Sequence, residues 1–263
     1  RDILPQDDGI ATLDFSAFVP FTSDGTTAGL SDPTGHIDYY EFTSHYTLGT
    51  DRIAVFTCPA AGPVGRTAAQ ATAIGNDQIR DHFAAMSEGR YDLVFVAGAD
   101  IPAAQGGSQQ GCYDYAEDHI RTTYTGPEVH GVVFVMNISG GFASPGSTCA
   151  PLGWCPTFPD NSRYGFVTDS SLIAMVWAHE HGHMITWPHS NSGTGGSEYD
   201  NPMDLMSGNS KQNGGTNPSP YETIVANRLA AGWVDPSDVL FYDGSSTVID
   251  LATTGTDGTQ MVV

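Results

Sequence analysis

The chain has 263 residues, 30 acidic against 9 basic side chains, a formal net charge of −21 and a mean hydropathy of −0.19. That length is enough to bury a full core and to carry one catalytic domain with a small appendage. The acidity argues against nucleic acid or anionic membrane as partners, and there is no run of about 18 apolar residues to span a bilayer.

Residues 1–50 are rich in Gly, Asp, Ser and Thr and read as an N-terminal extension with strands over 11–19 and 37–42, in which His36 and His45 are surface or core residues and not ligands. Alternation over 52–58 predicts a strand, and 68–86 a helix with Ile74, Ile79, Phe83 and Met86 toward the core. A second strand is predicted over 91–97, a helix over 113–124 and a strongly apolar strand over 130–138, followed by a Gly/Pro-rich stretch over 140–159. The sequon Asn137-Ile138-Ser139 lies at the end of that last strand.

Cys58, Cys112, Cys149 and Cys155 form an even set that fits an oxidising compartment. Cys149 and Cys155 bracket a short loop with Pro151 and Gly153, so a local disulfide there leaves Cys58 to pair with Cys112. Neither pair has the CxxC spacing of structural zinc, which weighs against a second metal site; free buried thiols are the other alternative. The first residue is Arg1 and not Met, which suggests removal of a signal peptide or propeptide, or a trimmed chain. Acidic loops such as Gln6-Asp7-Asp8 and Glu198-Tyr199-Asp200 are candidates for calcium, although solvated loops are the commoner explanation.

A helix is predicted over 168–185, with Asp169 or Ser170 as N-cap and Leu172, Ile173, Val176 and Trp177 as apolar anchors. It carries the run HEHGH at 179–183, followed by His189. On a helix, residues four apart are turned by only about 40° and rise about 6 Å, so His179 and His183 can share one metal ion. Glu180, about 100° round from His179, flanks the metal as a general base. His181, about 200° from His179, points away and takes a structural role. Pro188 disfavours α geometry at Trp187, so the helix ends by about Thr186 and the chain turns back, bringing His189 in from outside. Three neutral His leave a fourth tetrahedral position open, the pattern of a catalytic zinc site.

These residues resemble the metzincin metallopeptidases, whose signature is HExxHxxGxxH followed by a Met-turn. The resemblance implies zinc on His179, His183 and His189, with Glu180 polarising the catalytic water. It implies an α+β, zincin-type fold with a mixed sheet, a backing helix and an active-site helix. The strand, long helix and strand over 52–97 match its opening, and the Gly/Pro-rich stretch would lie near the cleft edge. The segment YDNPMDLMSG at 199–208 looks like the Met-turn, with Met206 beneath the metal. The run NRLAAGW at 227–233 is similar to the helix ending in Gly-Trp of immune-inhibitor-A-like and gametolysin-like metzincins. One position departs: Thr186 replaces the glycine that permits the sharp reversal, so the turn needs another geometry or the third ligand is not His189. Gly208 stands where some metzincins carry a Tyr, which leaves the oxyanion to zinc and backbone amides, with Tyr199 and Tyr221 as further candidates.

The resulting division is an extension over 1–50, a zinc metallopeptidase domain over 51–235 and a β-rich C-terminal segment over 236–263. The function expected is that of a secreted, monomeric zinc endopeptidase acting on polypeptide. Two alternatives stand beside it. One is a gluzincin-like hydrolase with Glu198 or Glu222 as third ligand; the other is an inactive zincin-fold binding module.

Overall fold

The computed structural model describes residues 3–5, 11–14, 36–37, 47–144, 163–171, 173–187, 189, 204–207, 223, 225–240 and 261–262. Its centre is a five-stranded mixed sheet built of β4 (Gly49–Cys58), β5 (Tyr91–Asp100), β6 (Gly131–Met136), β7 (Gly141–Ser144) and β8 (Arg163–Thr168). The strand order is β5-β4-β6-β8-β7; four strands run parallel and β7 pairs antiparallel with β8 at one edge. Parallel strands are covered on both faces and therefore read as continuous apolar runs. All six residues of β6 are buried, and in β4 Ile53 and Val55 face one core cluster while Ala54 and Phe56 face the other.

Helices cover both faces. On one lies α1, a continuous run of Ala68–Ile74, a π-helical turn Gly75–Ile79 and Arg80–Met86, beside α3 (Ile173–Met184). On the other lies α2 (Gln109–Thr122), capped by Ser108, whose side chain accepts from the Gly111 amide at 3.0 Å. Thr67 and Gln70 close α1 with a reciprocal capping box. Ile79, Phe83 and Met86 are fully buried as expected, while Ile74 packs only partly against the core. The mixed sheet, backing helix and active-site helix make this an α+β fold of the kind the sequence led us to expect.

Three further groups of elements complete the description. The strands β1 (Ile3–Pro5), β2 (Ala11–Asp14) and β3 (His36–Ile37) form a separate antiparallel sheet. Helix α4 (Val225–Ala230) precedes a parallel pair, β9 (Val239–Leu240) and β10 (Met261–Val262). The disulfide joins Cys58 at the end of β4 to Cys112 in α2, the expected pairing; Cys149 and Cys155 lie outside the described residues. Among those residues, no helix is long and apolar enough to cross a membrane.

Two sequence expectations need correction. The active-site helix starts at Ile173 and not at Thr168, because Thr168 closes β8 in register with Met136 and donates its hydroxyl to the Ile138 carbonyl at 2.6 Å. Asp169 is accordingly not the cap; its carboxylate takes the Gly65 amide and the Arg66 guanidinium. Strands β7 and β8 were not expected. The run RYGFVT of β8 has the β-branched and aromatic content of a buried strand, and its tail was read as the beginning of the helix.

Candidate metal centre

Helix α3 carries both faces of the site. His179 and His183, one turn apart, lie with ring centroids 4.8 Å from each other. The helix then closes in a Schellman motif: the Trp187 amide donates to the Gly182 carbonyl at 2.9 Å and the Thr186 amide to the His183 carbonyl at 3.0 Å. Thr186 occupies the left-handed position of that motif with φ +74°, where glycine is the usual residue. The reversal is thus made in the glycine conformation by a β-branched residue, and it does bring His189 to the other two. The Nε2 atoms of His183 and His189 are 2.9 Å apart, and one ligand atom from each of the three His lies within 4.8 Å of the others.

Backbone carbonyls orient two of these rings. His179 Nδ1 is 2.8 Å from the Leu205 carbonyl, and His183 Nδ1 is 2.8 Å from the Trp187 carbonyl. A carbonyl only accepts, so each Nδ1 carries the proton and each Nε2 presents its lone pair to the centre. Burial disfavours the charged ring, lowering His179 to about 4 and His183 to about 3, so both rings stay neutral across the physiological range.

Glu180 is buried, its Oε2 has no hydrogen-bond partner among the described residues, and burial pushes its carboxyl up to about 8. Strand β7 crosses close above it: a Cβ added at Gly141 would stand 2.7 Å from Glu180 Cγ. A carboxyl oxygen left unpaired in so dry a place calls for a cation or a donor at its side. Three converging imidazoles with a carboxyl group beside them, outside the His set, suit zinc.

The turn at 204–207 lies beneath. Met206 is fully buried with its sulfur against Gly182, where an added Cβ would come within 2.3 Å of it. Asp204 Oδ1 accepts from the Met206 amide at 3.0 Å and from the Thr223 hydroxyl at 3.0 Å, and Asn227 Nδ2 donates to that hydroxyl at 2.7 Å. The turn that supplies the Leu205 carbonyl to His179 is therefore tied to α4. Arg228 fastens α4 to the end of α1 through the Met86 carbonyl and Glu88, both at 2.9 Å, and the Trp233 indole donates to the Thr47 carbonyl at 2.7 Å.

His181 faces inward as its helical phase requires. Its Nε2 is 2.7 Å from the Tyr91 hydroxyl, which donates to Asp51; Asp51 also takes Arg163 and, at 3.0 Å, His130 Nδ1. Burial would raise the Asp51 carboxyl, but Arg163, His130, His181 and Tyr91 together hold it at about 2. Burial lowers His181 to about 3. The sequence alone assigned no role to Gly182, Asp204, Thr223 or the Asp51 group. Gly182 had a legible signal, since glycine inside an apolar helix marks a close approach. Glu198, Tyr199, Tyr221 and Glu222 lie outside the described residues, as do the acidic loops considered for calcium.

No family model and no curated protein matches the sequence. Among solved structures, the chain is similar to archaemetzincin from Methanopyrus kandleri, at 13% identity over 70% of this chain and 95% of that one, with a TM-score of 0.39. It is likewise similar to metalloproteinase-II from Bacteroides fragilis, at 13% identity over 74% of this chain and 60% of that one, with a TM-score of 0.40. At those values neither neighbour assigns a role to any residue here.

Proposed function

We propose that this chain is a secreted zinc endopeptidase of the metzincin type, in which His179, His183 and His189 hold zinc, Met206 is the methionine of the Met-turn and Glu180 is the general base. One observation carries the reading: His179 and His183, each fixed by a backbone carbonyl, converge with His189 beside a buried carboxyl group with an oxygen unpartnered among the described residues. The contact between His183 and His189 favours the three-histidine set over a Glu third ligand. The NRLAAGW run and its anchoring by Arg228 and Trp233 support the immune-inhibitor-A-like and gametolysin-like branch. The Cys58–Cys112 disulfide supports an oxidising compartment.

Zinc in such a site supplies Lewis acidity toward a carbonyl and toward water. The protein's own part is positioning and proton transfer. Glu180 takes a proton from the attacking water and passes it to the amide nitrogen as the C–N bond breaks, and its dry surroundings favour the protonated carboxyl between these two steps. Gly141 lets β7 pass against the base without displacing it.

The test joins elemental analysis to casein hydrolysis by wild type and Glu180→Ala. About one zinc per chain, cleavage lost on chelation and a loss of at least about a hundredfold in the variant are expected. Cleavage retained by Glu180→Ala would remove Glu180 from the mechanism, and a zinc-loaded protein that cleaves no unfolded substrate would favour the inactive binding module.

A further inference from the structure

The geometry points to a positioning device beneath the metal centre: Tyr91 and Asp51, reaching the active-site helix through His181, fix the helical turn that presents His179 and His183. This rests on the metal reading of those histidines. Asp51, Tyr91 and His181 are fully buried and Arg163 nearly so. The direction of the chain follows from the donor inventory. Asp51, paired with the permanent charge of Arg163, only accepts. The single Tyr91 hydroxyl proton therefore goes to Asp51, and the Tyr91 oxygen is left to accept from His181 Nε2–H at 2.7 Å. These links are buried, so the helix cannot rotate about its axis without breaking a hydrogen bond that water does not replace.

The placement gives that constraint its effect. His181 stands two residues from each helical ligand, on the face about 160–200° away from them. Its ring is also held edge-on by Phe83, with centroids 4.8 Å apart, and lies flat against Tyr91. The links to the sheet come from three strands, Asp51 on β4, Tyr91 on β5 and Arg163 on β8, so the anchor is the sheet itself and not a loop. A site built on elements locked in this way holds its ligands more closely than packing alone would.

The experiment measures zinc affinity by chelator competition and the visible spectrum of the cobalt-substituted protein in wild type, Tyr91→Phe, His181→Leu and Val135→Ala. The last shortens a core side chain of β6 that takes no part in these hydrogen bonds. Tyr91→Phe and His181→Leu are expected to weaken zinc binding by about tenfold or more and to alter the cobalt spectrum, the scale of lost support around metal ligands, while Val135→Ala changes neither. If Tyr91→Phe does not fold, His181→Leu decides, because it leaves the Tyr91–Asp51–Arg163 group intact. Wild-type affinity and spectrum in either folded variant overturn the inference, as does an equal loss in Val135→Ala. A wild-type chain that binds no zinc overturns it together with the metal reading, whereas normal zinc binding in wild type and Tyr91→Phe alike overturns the positioning device alone.

Discussion

Thr186 shows how a single residue records a compromise. Its φ of +74° places a β-branched side chain in the left-handed region, at a cost of about 1–2 kcal/mol. The Schellman hydrogen bonds and the packing of Trp187 on Gly182 hold it there. Thr186→Gly should therefore raise the midpoint of thermal unfolding by about 2–4 °C, read by circular dichroism, with the zinc stoichiometry unchanged. A lower midpoint would mean that the Thr186 hydroxyl, which donates to the Ile185 carbonyl at 2.6 Å, contributes more than the strain costs. At this scale the sequence was a good guide to which histidines converge and a poor one to the groups that support them. His179, Glu180 and His183 are legible because helical phase is a local rule, whereas the turn at Thr186 that brings His189 back to them depends on a left-handed backbone the sequence does not announce. Asp51, Tyr91 and Arg163 are separated by 40 to 112 residues and meet only once the strands are ordered, so no short window contains their signal.

Among the elements, α1 departs most from what periodicity conveys. The helix over 68–86 was legible as one run, but the π turn at Gly75–Ile79 was not, since one extra residue in a turn leaves the apolar pattern nearly intact. That turn does two things. Gly75 lies so close to the Phe95 ring that an added Cβ would approach it to 2.7 Å, and Asn76 pairs with the Phe95 backbone in both directions, at 2.8 and 3.0 Å. Phe95 belongs to β5, an edge strand, so Asn76 occupies hydrogen-bonding groups that would otherwise be open to another chain. Asn76→Ala should cost about 1–3 kcal/mol in urea unfolding and increase aggregation on refolding. A variant as stable and as soluble as wild type would show that water serves this edge equally well.

The whole molecule combines a strongly acidic surface with buried groups that resist protons. His179, His181 and His183 lie below the ordinary His value of 6.5, and Asp51 is held at about 2 against an ordinary 3.8. Glu180, at about 8 against an ordinary 4.5, acts in the opposite direction, but only above about pH 4.5. Below about pH 6.5 the unfolded chain binds protons at three imidazoles that the native chain keeps neutral, which outweighs the one proton that native Glu180 holds, so stability falls as the pH falls from about 6.5 toward 3. For Asp51 this loss begins near its unfolded value of 3.8 and runs through about 2. The expected outcome is an unfolding midpoint that declines from about pH 6.5 downward, with Asp51 adding to the loss below its unfolded value of 3.8. A midpoint that does not change between pH 6.5 and 3 would contradict the ionised Asp51 and the neutral buried imidazoles together.

The Cys58–Cys112 bridge belongs to the core layer beneath α2, whereas the three histidines stand on α3 and its return, across the sheet. Redox state and metal occupancy are thus recorded on opposite sides of one wall. A phosphine reductant that leaves the metal alone should loosen α2, seen as faster amide exchange over 109–122, before any zinc is released. A chelator should strip the zinc while the bridge stays closed, so each inactivation route carries its own signature in the same preparation.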